Sequence, residues 1–319
     1  AEIPRFTLVG LVGTDWLTHT LGVWHPRVKA NLRQFDEFLK DFLALLKQSG
    51  IMEKTYIVVT GDHGAHDIDG LFDLKRYLRS NGLRLIGRLR RRQPDAIYVG
   101  ARGVGSSIVS VPGEGGWDTD PTIERLRRFP ATNGRGVDLI ALLLNAPEVM
   151  LVAVREDAGH IRLFQRDGEA VITVRNETLP RYGYTVLNNG WDPLGFRDDP
   201  SLRSFTDGRL LNAWQWARLT NSSDFPDAVV QLGQVFADRR AGDLVVISAP
   251  RWGFYHEKEA THGSIILVDL RVPLLIRGPT IRSGRYDWAR LVDLYPTMRH
   301  WFGLGETDMP IDGRLLQLR

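Results

Sequence analysis

Cysteine is absent from this sequence of 319 residues. The absence excludes disulfides, thiolate catalysis and Cys-ligated zinc, so any metal ion must be held by His and carboxylate side chains. The sequence also lacks a run of the roughly 20 apolar residues that a membrane-spanning helix needs. No signal peptide opens it. We therefore expect no membrane span, and the cellular compartment stays open.

Charge of one sign is not concentrated anywhere along the chain. Lys and Arg total 41 against 38 Asp and Glu, which gives a formal net charge of +3. A nucleic-acid-binding protein usually carries dense Lys/Arg tracts, so nucleic acid is not expected as a specific partner. The slight basic excess suits a small anionic substrate.

What the sequence does contain is a composition suited to a folded core. It is 43% hydrophobic and 25% charged, which is ordinary for a soluble globular protein of one large domain or two smaller ones. There is no convincing internal repeat and no low-complexity tract.

The first 70 residues have the pattern of a β-α-β unit. The apolar run "FTLVGLV" at 6–12 predicts a buried strand, and "TYIVVT" at 55–60 predicts a second one. Between them, apolar residues at helical spacing over 31–49 precede Gly50, a suitable C-terminal cap. Two strands joined in this way are expected to be parallel, with a right-handed crossover.

The end of the chain repeats this pattern with strands at 243–249 and 272–278 and an amphipathic helix at 289–302. We therefore predict an α/β fold, a mainly parallel sheet flanked by helices, with a core formed by residues 1–75 and 240–319. The intervening residues 76–239 mix strands and helices. They are predicted to form a mixed α+β insertion or cap.

Three short motifs combine the residue types that ligate metals. Asp15 and His19 lie in "GTDWLTHTLG", four residues apart, so that both side chains can converge on one side of a helical turn. Asp62 and His63 follow the strand at 55–60, and His262 lies in "EATHGS". Two of the three motifs come after predicted strands of one unit, at the edge where open α/β sheets bind ligands.

Each motif alone has an ordinary structural explanation. An Asp-His-Gly sequence is often a turn, and Asp-x-x-x-His is often a chance pair on the surface. His66, three residues after His63, is predicted to be a solvated loop residue. The three motifs together favour a metal site.

The set of motifs resembles the alkaline phosphatase superfamily, and within it the type I phosphodiesterase and nucleotide pyrophosphatase branch. The resemblance lies in the Asp-x-x-x-His motif, the strand that ends in "TGDHG", and "THGS" leading to "VPLLIRGP". The stretch "LVDLYPTMRHWFGL" followed by "IDGRLL" is also similar to that superfamily. The first 70 and the last 80 or so residues carry the resemblance, and the middle carries it only loosely.

The resemblance implies a phosphoric ester hydrolase with two divalent metal ions, usually zinc, acting on a small anionic phosphoester. By its pattern Asp15, His19 and His262 would hold one ion, and Asp62 and His63 would supply part of the shell of the other. Two cations about 4 Å apart can clamp the attacking and leaving oxygens of an in-line displacement at phosphorus. Sulfatases and phosphomutases of the same superfamily are alternatives.

In that superfamily a Thr or Ser nucleophile lies well upstream of the Asp-x-x-x-His motif. The fourteen residues before Asp15 contain no residue in that context, and Thr7 falls within the predicted first strand. We therefore expect the nucleophile to lie outside this sequence, on a missing N-terminal segment or on a second chain. A metal-binding relic or scaffold without turnover is the third possibility.

Overall fold

The computed structural model describes residues 4–88, 93–100, 105–187, 190–254, 259–305 and 307–318. Its helices are α1 (Gly13–Leu21), α2 (Pro26–Gln48), α3 (Leu74–Ser80), α4 (Ile123–Arg127), α5 (Leu139–Asn145), α6 (Ala213–Thr220), α7 (Ala228–Val235), α8 (Leu267–Leu270) and α9 (Leu294–Trp301). Short 3₁₀ helices cover Met52–Lys54, Arg203–Phe205, Arg239–Ala241 and Leu291–Asp293.

The strands of the first half are β1 (Ile57–Thr60), β2 (His66–Asp67), β3 (Gly70–Leu71), β4 (Arg84–Leu85), β5 (Ala96–Val99), β6 (Ser106–Ser110), β7 (Phe129–Pro130) and β8 (Gly136–Val137). Those of the second half are β9 (Val149–Arg155), β10 (His160–Gln165), β11 (Gly168–Arg175), β12 (Arg181–Leu187), β13 (Leu211–Asn212), β14 (Leu244–Ser248), β15 (Trp252–Gly253), β16 (Ala260–Thr261) and β17 (Leu274–Arg277).

A nine-stranded sheet forms the centre of the fold, in the order β13-β12-β11-β10-β9-β14-β6-β5-β4. Its neighbouring strands are antiparallel except for the β4–β5 pair. A separate ribbon of two strands pairs β1 with β17, also antiparallel. Two further short pairs, β2 with β16 and β3 with β15, connect the segment after β1 to the segment after β14.

The α/β class with a large sheet flanked by helices is confirmed, but the expected parallel pairing is wrong. The strand predicted at 55–60 forms as β1, and its partner is β17, which runs antiparallel to it. Residues 6–11 are assigned to no strand, and their apolar side chains, such as Leu8 at 83% exposure, face solvent. An apolar run alone does not supply the backbone partner that a strand requires, so the expected β-α-β unit does not form.

The other predicted elements appear close to their expected positions. Helix α2 begins at Pro26, where the His25 imidazole accepts a hydrogen bond from the Arg27 N–H, and it ends just before Gly50, whose φ is +68°. Strands β14 and β17 and helix α9 lie within the segments predicted at 243–249, 272–278 and 289–302. Strand β14 pairs with β6 and β9, which come from residues 76–239. The proposed division into a core and an insertion stays a prediction.

The hydrophobic core lies on the two faces of the nine-stranded sheet. One cluster packs α6 and α7 against β9 to β12, around Trp216 and Tyr184. The other packs α3, α4 and α5 against the opposite face, around Leu126 and Leu143. Neither cluster includes a residue before Phe72 or after Ile265 among the described residues. Within the same part of the chain, no helix is both long and apolar enough to cross a membrane.

Candidate metal centre

Helix α1 brings Asp15 and His19 together. Asp15 lies in the first turn of the helix and His19 in the last, four residues apart, so their side chains lie on the same face. The Nε2 atom of His19 is 3.2 Å from Oδ1 of Asp15. The local pattern predicted from sequence therefore forms as expected, on a helix of nine residues.

The other ring nitrogen of His19 is held by the backbone. Nδ1 lies 2.9 Å from the carbonyl oxygen of Ala260 in β16, and since a carbonyl only accepts, Nδ1 carries the proton. This leaves the lone pair on Nε2, the nitrogen nearest Asp15. A backbone carbonyl that fixes the tautomer in this way is the usual arrangement behind a metal-ligating histidine. The Glu259 N–H donates to the His19 carbonyl at 3.1 Å and joins α1 to the same strand.

His262 reaches the same place from the far end of the sequence. It follows β16 directly and precedes Gly263, whose φ of +80° favours glycine. The Gly105 N–H donates to the His262 carbonyl at 2.6 Å, and this bond connects the residue to the segment that begins β6. As a result, Nε2 of His262 lies 3.8 Å from Oδ1 of Asp15.

Asp15, His19 and His262 form a group in which one ligand atom of each residue lies within 4.8 Å of the other two. Two imidazoles and a carboxylate are ordinary donors for zinc, and three protein ligands leave a position open for water or substrate. Burial, followed by the nearby His63 and His19 rings, lowers the pKa of His262. The neutral imidazole that this favours is the form that binds a metal. The residues present therefore fit a single divalent cation.

Asp62 and His63 lie beside this group but are not members of it. The His63 ring stacks on the His262 ring with centroids 3.6 Å apart. Its Nε2 is 3.7 Å from Oδ2 of Asp62, and its Nδ1 is 3.0 Å from the Gly64 carbonyl. The Asp62 side chain is 91% exposed. The structure thus brings four of the five predicted residues into close contact and leaves Asp62 at their solvent side, and the roles of all five as metal ligands stay predictions.

His66 and Asp269 form a buried pair beside the centre that the sequence did not reveal. His66 was expected in solvent, but its Nδ1 donates to Oδ1 of Asp269 at 2.6 Å, and both side chains are largely buried. Asp269 also accepts the Ser264 N–H at Oδ2 and the Gly64 N–H at its carbonyl. It therefore connects the loop of His63 to the loop of His262. No local signal could have revealed this pair, because 203 residues separate its members.

Comparison with known proteins gives one sequence family and several solved structures. The family described as type I phosphodiesterase / nucleotide pyrophosphatase matches residues 1–267. Among curated proteins there is no significant sequence match.

Three of the structural matches concern ectonucleotide pyrophosphatase / phosphodiesterase 5. The murine protein is 14% identical, with a TM-score of 0.47, over 93% of this chain and 54% of its own. An inactive variant of it in complex with AMP gives the same values. The human protein is 15% identical, with a TM-score of 0.47, over 94% of this chain and 54% of its own. The chain spans about half the length of these structures.

Proposed function

This chain belongs to the type I phosphodiesterase / nucleotide pyrophosphatase family. From that premise we propose that it functions as a metal-dependent hydrolase of phosphoric esters. The observation that carries the proposal is the convergence of Asp15, His19 and His262, from opposite ends of the sequence, within 4.8 Å of one another. A structural turn or a surface pair would not require residues 243 positions apart to meet.

Each residue of the centre has a defined part in this proposal. Asp15 supplies the negative charge that favours a divalent cation, and His19 presents Nε2 because Ala260 holds its Nδ1 proton. Burial and the neighbouring His63 and His19 rings lower the pKa of His262, which favours the neutral form that binds a metal. Asp62 and His63 are proposed to contribute to a second cation beside the first. Bound cations, with zinc the best match to this donor set, would stabilise the oxygens of an in-line displacement at phosphorus.

The catalytic nucleophile is assigned to none of the described residues. The family pattern places it before the Asp-x-x-x-His motif, so the proposed function is tested on the full-length protein. Turnover of a chromogenic phosphodiester and of the matching monoester would be measured before and after removal of metal with a chelator, and again after zinc is added back. We expect activity to disappear with the metal and to return with zinc.

The decisive variants are Asp15→Asn and His262→Ala, with His300→Ala as the control. His300 is an exposed histidine on α9 and no part of the centre. Loss of a ligand should lower kcat/KM by about 100-fold or more, since a metal supplies several kcal/mol of transition-state stabilisation. Bound zinc, measured by elemental analysis, should fall in the same two variants only. Full activity in His262→Ala would refute the proposal, and zinc binding without any turnover would favour a non-catalytic relic.

A further inference from the structure

A cleft of about 560 Å³ has none of the residues of the metal centre in its lining. It is lined by Trp214 of α6, by the segment 285–288 with Asp293, and by residues 314–317 near the end of the described chain. Its volume is within the range of pockets that hold small molecules. Neither the family nor the metal centre explains it, because it shares no lining residue with Asp15, His19, Asp62, His63 or His262.

The walls of the cleft are held in place by the buried Asp293. Its Oδ1 accepts the Arg314 N–H at 2.8 Å, and its Oδ2 accepts the Arg290 N–H at 2.9 Å. The Leu316 N–H donates to the hydroxyl of the buried Thr297 at 3.0 Å. These bonds fix residues 314–316 against the start of α9 and keep that side of the cleft in place. The Asp293 carboxylate accepts two of these backbone bonds, and the Arg290 guanidinium, 3.7 Å from its Oδ1, offsets its negative charge.

Aromatic rings and guanidinium groups meet inside the cleft. The Trp214 and Trp288 rings lie 5.2 Å apart, tilted by 51°, and Tyr286 lines the same space. The Arg314 guanidinium lies 3.9 Å from the centre of the Trp214 ring, and that of Arg218 lies 5.5 Å from it. A guanidinium packed on an aromatic face keeps its N–H edge available for a bidentate contact with an oxyanion.

Two arginines and two aspartates line the cleft, and the guanidinium groups are not taken up by ion pairs among the described residues. Arg285 and Arg314 line the cleft, and Arg218 lies beside it over the Trp214 ring. None of the three forms an ion pair with a carboxylate within the ranges that the structure describes. Asp287 is the one further carboxylate among the lining residues, and it too has no ion pair there. Three guanidinium groups beside two tryptophans suit a ligand that is flat and aromatic on one part and anionic on another. Stacking on aromatic rings and pairing with Arg are the two interactions by which proteins bind such molecules.

We propose that the Trp214–Trp288 cleft is a binding site for a planar aromatic ring that carries a phosphate group. In this site the ring stacks against Trp288 and Tyr286, and the phosphate is held by Arg285 and Arg314. The site is independent of the metal centre, so it can exist whether or not the proposed hydrolase activity does.

Adenosine 5′-monophosphate is a suitable probe, with adenosine and inorganic phosphate as its separated halves. Binding would be measured by isothermal titration with the full-length protein and with His262→Ala, in which contributions from the metal centre are reduced. We expect the nucleotide to bind in both, and each half to bind at least tenfold more weakly than the whole. Equal affinity for adenosine and its monophosphate would overturn the proposal, because the arginines would then contribute nothing.

The variants Arg285→Gln and Trp288→Phe test the two halves of the site, and Arg282→Gln is the control on the same exposed segment outside the cleft. In the His262→Ala background, Arg285→Gln should weaken nucleotide binding about tenfold and Arg282→Gln should leave it unchanged. Trp288→Phe keeps an aromatic ring, so its effect should be smaller than that of Trp288→Ala. Binding that is insensitive to both Arg285→Gln and Trp288→Ala would refute the assignment, as would an absence of binding at millimolar nucleotide.

Discussion

All five positions of β14 in the nine-stranded sheet are buried, whereas none of the four positions of β1 is. This difference in burial separates two regions of the molecule. Apart from Ile265, the sheet and the segments packed on it hold both hydrophobic clusters, while the segments 4–71 and 262–277, here called the metal edge, hold the candidate ligands. Helix α2 of the metal edge has 23 residues, of which Val28 and Leu46 are buried.

The difference shows that the candidate site is held by hydrogen bonds, one to the segment that begins β6 and the others within the metal edge. Gly105 holds the backbone of His262, and Asp67 accepts the Val23 N–H just after α1 at 2.7 Å. Asp269 connects the two histidine loops. A few directional bonds can fix side-chain positions to within the tolerance that a metal requires, but they contribute little to global stability. We therefore expect stability to depend on the sheet, and site geometry to depend on these few bonds.

The largest effect on stability is expected from a substitution that creates a cavity beside the sheet. Leu151 of β9 is fully buried in the first cluster, so Leu151→Ala should lower the free energy of unfolding by roughly 3–5 kcal/mol. Leu45→Ala on α2 is the matched control, because Leu45 is 57% exposed. It should change the free energy of unfolding by less than about 0.5 kcal/mol. Denaturant unfolding followed by circular dichroism measures both, and a large effect at Leu45 would mean that this face of α2 is covered in solution.

The second-largest effect on stability is expected at a carboxylate in the sheet region. Asp227 precedes α7, and its Oδ1 is buried with no hydrogen-bond partner in the described parts of the chain. Burial raises the pKa of Asp227 to about 7, against the smaller lowering effect of Arg290, while Asp293 and Asp312 raise it further. In the unfolded chain the carboxyl keeps its ordinary pKa of 3.8.

Between these two pKa values the folded chain binds a proton that the unfolded chain does not. This contribution to stability is therefore present at acidic pH and is lost as pH rises from about 4 to about 7, by about 2–3 kcal/mol between pH 5 and pH 8. Asp227→Asn removes the titration and keeps a side chain that tolerates the left-handed φ of 57°. The variant should be more stable than the parent at pH 8 and show a flatter pH profile in thermal unfolding. A profile identical to that of the parent would contradict the assignment.

The two regions also differ in how much of them the sequence predicts. Local patterns were enough for α2, β1, β14, β17 and α9, because helical spacing, caps and apolar runs act within a few residues. The pairing of β1 with β17 was not predictable, since it joins segments more than 200 residues apart. The prediction of a strand at 6–12 was wrong because burial depends on what the rest of the fold offers as a partner, and hydrophobicity alone does not decide it.

The candidate site was predictable in its residue types and only partly in its support. Asp15 and His19 meet because four-residue spacing on a helix brings side chains together. His262 was linked to them by family resemblance, and no spacing rule would have placed it there. Asp269 had no recognisable motif at all, although it holds both loops. Ligands carry a sequence signature because their chemistry is restricted, whereas the residues that position them can be of several types.

Substitution of Asp269 is expected to change stability the least of these three variants. It tests most directly whether the sheet and the metal edge differ in what holds them. In Asp269→Asn the amide cannot accept from both His66 Nδ1 and the Ser264 N–H as a carboxylate does, so the two histidine loops should separate. We expect zinc affinity to fall about 10- to 100-fold, the range typical of lost outer-shell bonds at a metal site. The free energy of unfolding of the metal-free protein should fall by only about 1–2 kcal/mol. Asp41→Asn, at an exposed carboxylate of α2, is the control. If the stability falls while zinc affinity stays that of the parent, Asp269 stabilises the fold without positioning the metal ligands. The expectation that site geometry depends on these hydrogen bonds would then be wrong for Asp269.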